Sequence, residues 1–147
     1  MNPNPNRYNQ ERWNYGKQSF TLVCPIIEEY LEEPLVETKM FYDIMDAKTA
    51  IYDIEVKSRT PKYHWKDEYI MRDGWLLPKC KIDFAKKSGR PFLFFYWWRR
   101  DNSLWEWEFN LEDLKGLEPF VPPWHKEKQE HYYIPFKCWR ELQYEDA

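Results

Sequence analysis

Asp43 and the triplet Glu55-Val56-Lys57 are the residues of this chain whose types and spacing could do chemistry. Two carboxylates on neighbouring strands offer the oxygen ligands that a hard divalent cation such as Mg2+ or Mn2+ prefers. A lysine two positions beyond the second carboxylate projects from the same strand face, because side chains alternate sides at period 2. It can hold or polarise a water, or stabilise a pentavalent phosphate. Phosphodiester hydrolysis needs these groups: an ion to neutralise the phosphate and the developing charge, and a water held for attack. Asp53 shares the face of Glu55 and Lys57 and can either join the site or shape its field.

Two strand-like segments must bring these residues together. Val36–Met45 and Ala50–Lys57 read as an antiparallel hairpin across the polar turn Asp46-Ala47-Lys48-Thr49. In the second segment Tyr52, Ile54 and Val56 share a core face, and Asp53, Glu55 and Lys57 share a charged one. In the first, Met40, Tyr42 and Ile44 can face the core, which turns Asp43 to the side of Glu55 if the strands pair across that turn. Gln18–Glu33 reads as a helix, with Phe20, Val23, Ile26, Ile27, Tyr30 and Leu31 at helical spacing, Pro25 able to kink or split it, and Pro34 ending it. Leu76–Lys87 reads as a second helix that buries Ile82, Phe84 and Ala85 and stops at Gly89. Pro91–Trp98 is an apolar aromatic run of strand length and suits a central buried strand. Leu104–Phe109 alternates Trp105, Trp107 and Phe109 with Glu106 and Glu108, which are expected to be exposed, and His131–Trp139 reads as a final strand.

The run Tyr42-Asp43-Ile44 followed by Asp53-Ile54-Glu55-Val56-Lys57-Ser58-Arg59 resembles the D…ExK signature of the PD-(D/E)XK nuclease superfamily. The resemblance covers most of the chain in architecture and a few residues in motif. It implies an α/β (α+β) fold with a mixed sheet: a restriction-endonuclease-like core of helix, three strands, helix and strand, here with extra C-terminal strands. It further implies that Asp43 and Glu55 bind Mg2+ or Mn2+, that Val56 adds its backbone carbonyl, that Lys57 is catalytic, and that the substrate is DNA. No proline precedes Asp43. Many members carry a further glutamate on the first helix, where the nearest residue by position is Gln18, a neutral ligand, so a single-metal site is expected.

Basic residues supply candidate phosphate contacts. Arg59, Lys62 and Lys66 are interleaved with Tyr63 and Trp65, a pattern suited to phosphate contact and base stacking. Lys79 and Lys81, at the start of the second helix, could also contact phosphate, although a solvated helix face explains them equally well. His64, His125 and His131 form no HExxH or Cys/His pattern, which argues against zinc, and the widely spaced Cys24, Cys80 and Cys138 read as buried thiols.

Composition bounds the alternatives. The 147 residues suit one domain, expected over 9–147 after an Asn/Pro-rich arm at 1–8. With 43% hydrophobic and 20% aromatic residues, including nine Trp, the chain is far too apolar to be disordered. No apolar run approaches the ~20 residues of a membrane span. No targeting pattern is read at the N-terminus, so a cytoplasmic setting is expected, and an aromatic- and Asn-rich nuclease of this size would suit a phage or virus. The net charge of -3 gives no global basic signature, but a bound cation or local basic cluster can reverse the field at a site. The competing reading of Glu55 and Lys57 is an exposed, charge-paired sheet face. Competing functions are a non-catalytic nucleic-acid-binding module and a structural or oligomerising protein, with a homodimer left open.

Overall fold

A computed structural model describes residues 20–37, 47–59, 74–98, 102–122 and 128–144. The fold is mixed α/β, and its strands fall into two sheets. Helix α1 (residues 20–31) is followed by β1 (Val36–Glu37), β2 (Ala47–Lys48), β3 (Asp53–Arg59) and β4 (Gly74–Pro78). Then come α2 (Lys79–Ser88), β5 (Phe92–Trp98), β6 (Ser103–Glu108), β7 (His131–Pro135) and β8 (Arg140–Leu142). Six strands form one sheet in the order β1-β2-β3-β5-β6-β8, and β4 pairs with β7 in a second, two-stranded sheet. Within the large sheet only β3 and β5 run parallel; α2 lies in the connection between them. A parallel neighbour requires such a crossover, and an apolar helix face gives it a seat on the sheet.

Strand β5 dominates the core. All seven of its residues are buried, so neither face meets water. Leu93, Phe95 and Trp97 pack with Ile54 and with Phe20, Val23 and Ile27 of α1. Phe92, Phe94, Tyr96 and Trp98 face the other way, onto Ile82 and Ala85 of α2, Trp75 and Leu77 of β4, and Tyr132 and Ile134 of β7. Each large aromatic side chain removes roughly 150–250 Å² from water, about 4–6 kcal/mol at ~25 cal/mol per Å². The sheet is thus covered by α1 on one side and by α2 with the small sheet on the other.

Several expectations are corrected. α1 runs unbroken through Pro25 and ends at residue 31, where Glu32 takes a left-handed conformation (φ 56°) before Pro34. The expected strand 36–45 is resolved as β1 at 36–37, with 38–46 outside the described residues, and the expected turn at 46–49 is displaced. Ala47 and Lys48 are already strand, paired with Ile54 and Asp53. The turn lies at 49–52 because the Thr49 hydroxyl accepts the backbone N–H of Ile51 (3.1 Å) and Tyr52 (2.9 Å). The second helix starts at Lys79 rather than Leu76, since Gly74–Pro78 is strand β4. Its end is as expected, with Gly89 as the left-handed cap at φ 71°. The expected last strand is split: β7 joins the small sheet, a 3-10 turn covers Phe136–Cys138, and β8 returns to the edge of the large sheet.

Gly74 is required by close approach. A Cβ there would lie 1.8 Å from the Ile134 carbonyl oxygen and 2.9 Å from Pro135 Cα, both backbone atoms. Gly89 has open space around it and only its φ to lose. Gly74→Ala is therefore expected to cost more than ~3 kcal/mol in urea unfolding, against about 1–2 kcal/mol for Gly89→Ala. Equal costs would contradict the close β4–β7 packing.

Candidate metal centre

The charged face of β3 is interior. Asp53 pairs in register with Phe92, Glu55 with Phe94 and Lys57 with Tyr96, so these side chains share the layer under α2. Asp53 is 3% exposed and Glu55 6%. A carboxylate carried into such a layer needs a cation or several hydrogen bonds, since desolvating an unpaired charge costs several kcal/mol. Each of the two meets a different cation.

Asp53 is held by Arg90, from the loop after α2. Arg90 donates from Nε to Asp53 Oδ1 at 3.0 Å and from Nη2 to the Thr49 carbonyl at 3.0 Å. One guanidinium thus ties the β2–β3 turn to the start of β5, and the Asp53 N–H adds a bond to the Pro91 carbonyl at 2.9 Å. This is a structural assignment for Asp53 at the N-terminal end of β3.

Glu55 faces α2. Lys81 Nζ lies 3.4 Å from Glu55 Oε2, with side-chain exposures of 21% and 8%. The surroundings are aromatic: Phe94 stacks on Trp107 at 5.3 Å between centroids, and Tyr96 stacks on Trp75 at 4.4 Å. Lys57 follows on the same face, half-buried, while Val56 turns to the opposite side and packs toward α1. Of Lys79 and Lys81, it is Lys81 that reaches a sheet carboxylate. Lys79 instead pairs with Asp83 at 2.8 Å, and this hydrogen bond pushes its pKa up.

Of the sequence-derived candidates, the structure brings together Glu55, Lys57 and Lys81 under α2 and sets Asp53 apart with Arg90. Asp43, Gln18, Lys62 and Lys66 lie outside the described residues, as does the side chain of Arg59 at the end of β3. Among the described residues no three His, Cys, Asp or Glu side chains are grouped to hold a metal ion. Cys24 and Cys138 are partly buried, but Cys80 is exposed, contrary to expectation. Burial and the neighbouring Glu28 push the Cys24 thiol up to about 11.

Glu106 corrects a further expectation. It is half-buried, on the α1 face of β6, whereas Glu108 is exposed. It lines a cavity of about 550 Å³ with Glu33, Tyr30, Tyr52 and Arg140, at the C-terminal end of α1. Burial raises its pKa; hydrogen bonding from Tyr30 and the charge of Arg140 oppose this, and Glu108 adds to it. Strand alternation marks Glu106 as pointing away from the Trp107 side but does not reveal that α1 covers that face too.

Comparison with protein-family models, with curated proteins and with solved structures gives no significant match. No helix among the described residues is long and apolar enough to cross a membrane.

A carboxyl whose pKa is raised on folding contributes stability below its unfolded value, here 4.5, and loses it as pH rises through the folded value. Glu106→Gln is thus expected to gain thermal stability over the wild type as pH rises toward neutrality, with no gain in acid. A pH series of melting temperatures measures this, and a difference that is flat or shrinks with pH would contradict it.

Proposed function

We propose that this protein is a metal-dependent nuclease of the PD-(D/E)XK type that hydrolyses phosphodiester bonds in nucleic acid, with DNA as the substrate the resemblance implies. The observation that carries the reading is the placement of Glu55 and Lys57 on one face of β3, the strand paired in parallel with β5 across α2. The element order supports it once β4, which follows β3 and pairs with β7 in the small sheet, is set aside: helix, three strands, helix and strand, with β1, β2, β3 and β5 adjacent in the large sheet. That order is the one expected of a restriction-endonuclease-like core.

Mg2+ or Mn2+ fits Glu55 on one specific ground. Its buried carboxylate lies beside a positive charge, the Lys81 ammonium at 3.4 Å, and an oxygen ligand in that layer suits a hard cation. Glu55 would hold the ion, with the Val56 carbonyl as a further oxygen, and a second carboxylate has to come from outside the described residues, the role expected of Asp43. Bound there, the ion would supply charge neutralisation at the phosphate and a lowered pKa for a bound water. Lys57, two residues on, is placed to orient the attacking water or to stabilise the phosphate oxygens.

A second reading has its own support. A Glu55–Lys81 ion pair, with no third carboxylate grouped among the described residues, also suits a non-catalytic nucleic-acid-binding module. That reading expects metal-independent binding and no cleavage.

Purified protein incubated with plasmid, linear duplex, single strands and RNA, with Mg2+, Mn2+ or chelator, separates the two. Cleavage is expected with metal only, and Lys57→Ala and Glu55→Gln should each slow it by about 100-fold or more. Absence of cleavage on every substrate, or full activity in Lys57→Ala, would falsify the nuclease assignment.

A further inference from the structure

We propose that the cavity at the C-terminal end of α1 binds a small aliphatic amine carrying two or more ammonium groups, with Glu33 and Glu106 as its charge partners and Tyr30 and Tyr52 as its aromatic walls. The cavity is separate from the charged face of β3. Leu93, which lines it, belongs to the layer that packs on α1, on the other side of the large sheet.

Charge is the first ground. About 550 Å³ in volume, the cavity is lined by Glu32, Glu33, Glu106 and Glu108 against one cation, Arg140. Arg140 is already engaged, since its Nη1 donates to the Tyr30 hydroxyl at 3.2 Å. The backbone of α1 adds to the negative field, because the unsatisfied carbonyls of a last helical turn carry partial negative charge. Glu32 and Glu33 therefore stand at the pole where lysine or arginine is favoured. Glu28 has a structural use that explains it: its carboxylate accepts the Leu35 N–H at 2.9 Å and closes the turn after α1.

Glu33 and Glu106 are left differently. In each, carboxylate oxygen Oε2 is shielded from water and has no hydrogen-bond partner among the described residues. Such buried acceptors are uncommon in folded proteins, and a donor from outside the chain accounts for both. The terminal torsion of glutamate is broad, so either oxygen can turn to meet one.

The spacing of the carboxylates decides the kind of cation. A divalent ion gathers its oxygen ligands within ~2.0–2.6 Å, yet among the described residues no three acidic side chains are grouped closely enough to hold one. Carboxylates spread along a cavity suit a cation whose own charges are spread along a flexible chain. The volume lies within the ~300–1,000 Å³ of small-molecule sites, so such a chain has room. Tyr30, 38% exposed, and the half-buried Tyr52 offer ring surface to methylenes and ammonium groups.

The test uses the full chain, calorimetric titration and thermal unfolding, with spermidine and putrescine as probes and butanediol as the uncharged match. Spermidine should bind and raise the melting temperature, putrescine should bind more weakly, and the diol should do neither. Glu33→Gln and Glu106→Gln should each weaken spermidine binding about tenfold. At neutral pH and without amine, both should melt no lower than the wild type, because each removes a carboxylate that lacks a full set of partners. Glu118→Gln makes the same charge change at an exposed position outside the cavity and should leave binding unaltered.

No binding of spermidine at millimolar concentration overturns the proposal, and so does binding that Glu118→Gln weakens as much as Glu33→Gln. Displacement of spermidine by an equal concentration of Mg2+ would reduce the cavity to a general counter-ion site and also overturn it. If N-acetyl-lysine amide binds while both amines fail, the cavity takes a basic side chain of a partner protein, and the amine assignment falls.

Discussion

Strand β5 has no solvent face, and the rest of the structure follows from that constraint. Seven consecutive buried residues, six of them aromatic, must be covered on both sides. α1 covers one side with Phe20, Val23 and Ile27, while α2 and the β4–β7 pair cover the other with Ile82, Trp75 and Ile134. β3 lies beside β5 in parallel, so both of its faces are drawn into the same interior. Its odd-numbered positions carry Asp53, Glu55 and Lys57 into the layer under α2, where charge is costly unless matched.

The matching gives the site its character. Arg90 neutralises Asp53 and at the same time pins the Thr49 turn to the entrance of β5. That pair belongs to the architecture. Lys81 neutralises Glu55 at a longer distance and from a flexible stem, among aromatic rings that raise the strength of any charge interaction. A buried carboxylate beside a lysine on the same strand face is the feature on which the proposed metal-assisted chemistry rests. Lys57, next along the strand, completes the β3 face that carries Asp53 and Glu55.

Much of this was legible in residue pattern. The alternation from Tyr52 to Lys57 indicated which side chains share a face, the run Phe92–Trp98 marked the central strand, and Gly89 marked the end of α2, because period, aromatic density and a left-handed cap are local properties. Features set by distant partners were not legible. The turn at 49–52 depends on the Thr49 hydroxyl capturing two backbone N–H groups, in competition with an equally polar stretch just before it. Trp75-Leu76-Leu77 has no helical or strand period of its own, and becomes a strand because β7 lies alongside, close enough to require Gly74. β3 was expected to be half-exposed, since alternation of apolar and charged residues ordinarily means one wet face. Here α2 covers the charged face, and the signal for that was Lys81, a lysine on the side of the helix that meets the sheet. Glu106 was read as exposed for the same reason, on the opposite face, where it is half-buried.

The central proposal is that Glu55 is a ligand for a divalent ion. Crystals grown with Mn2+ test it directly through anomalous scattering. The account predicts a manganese peak at roughly 2.1 Å from a Glu55 carboxylate oxygen. Manganese absent from that carboxylate at saturating concentration would contradict it.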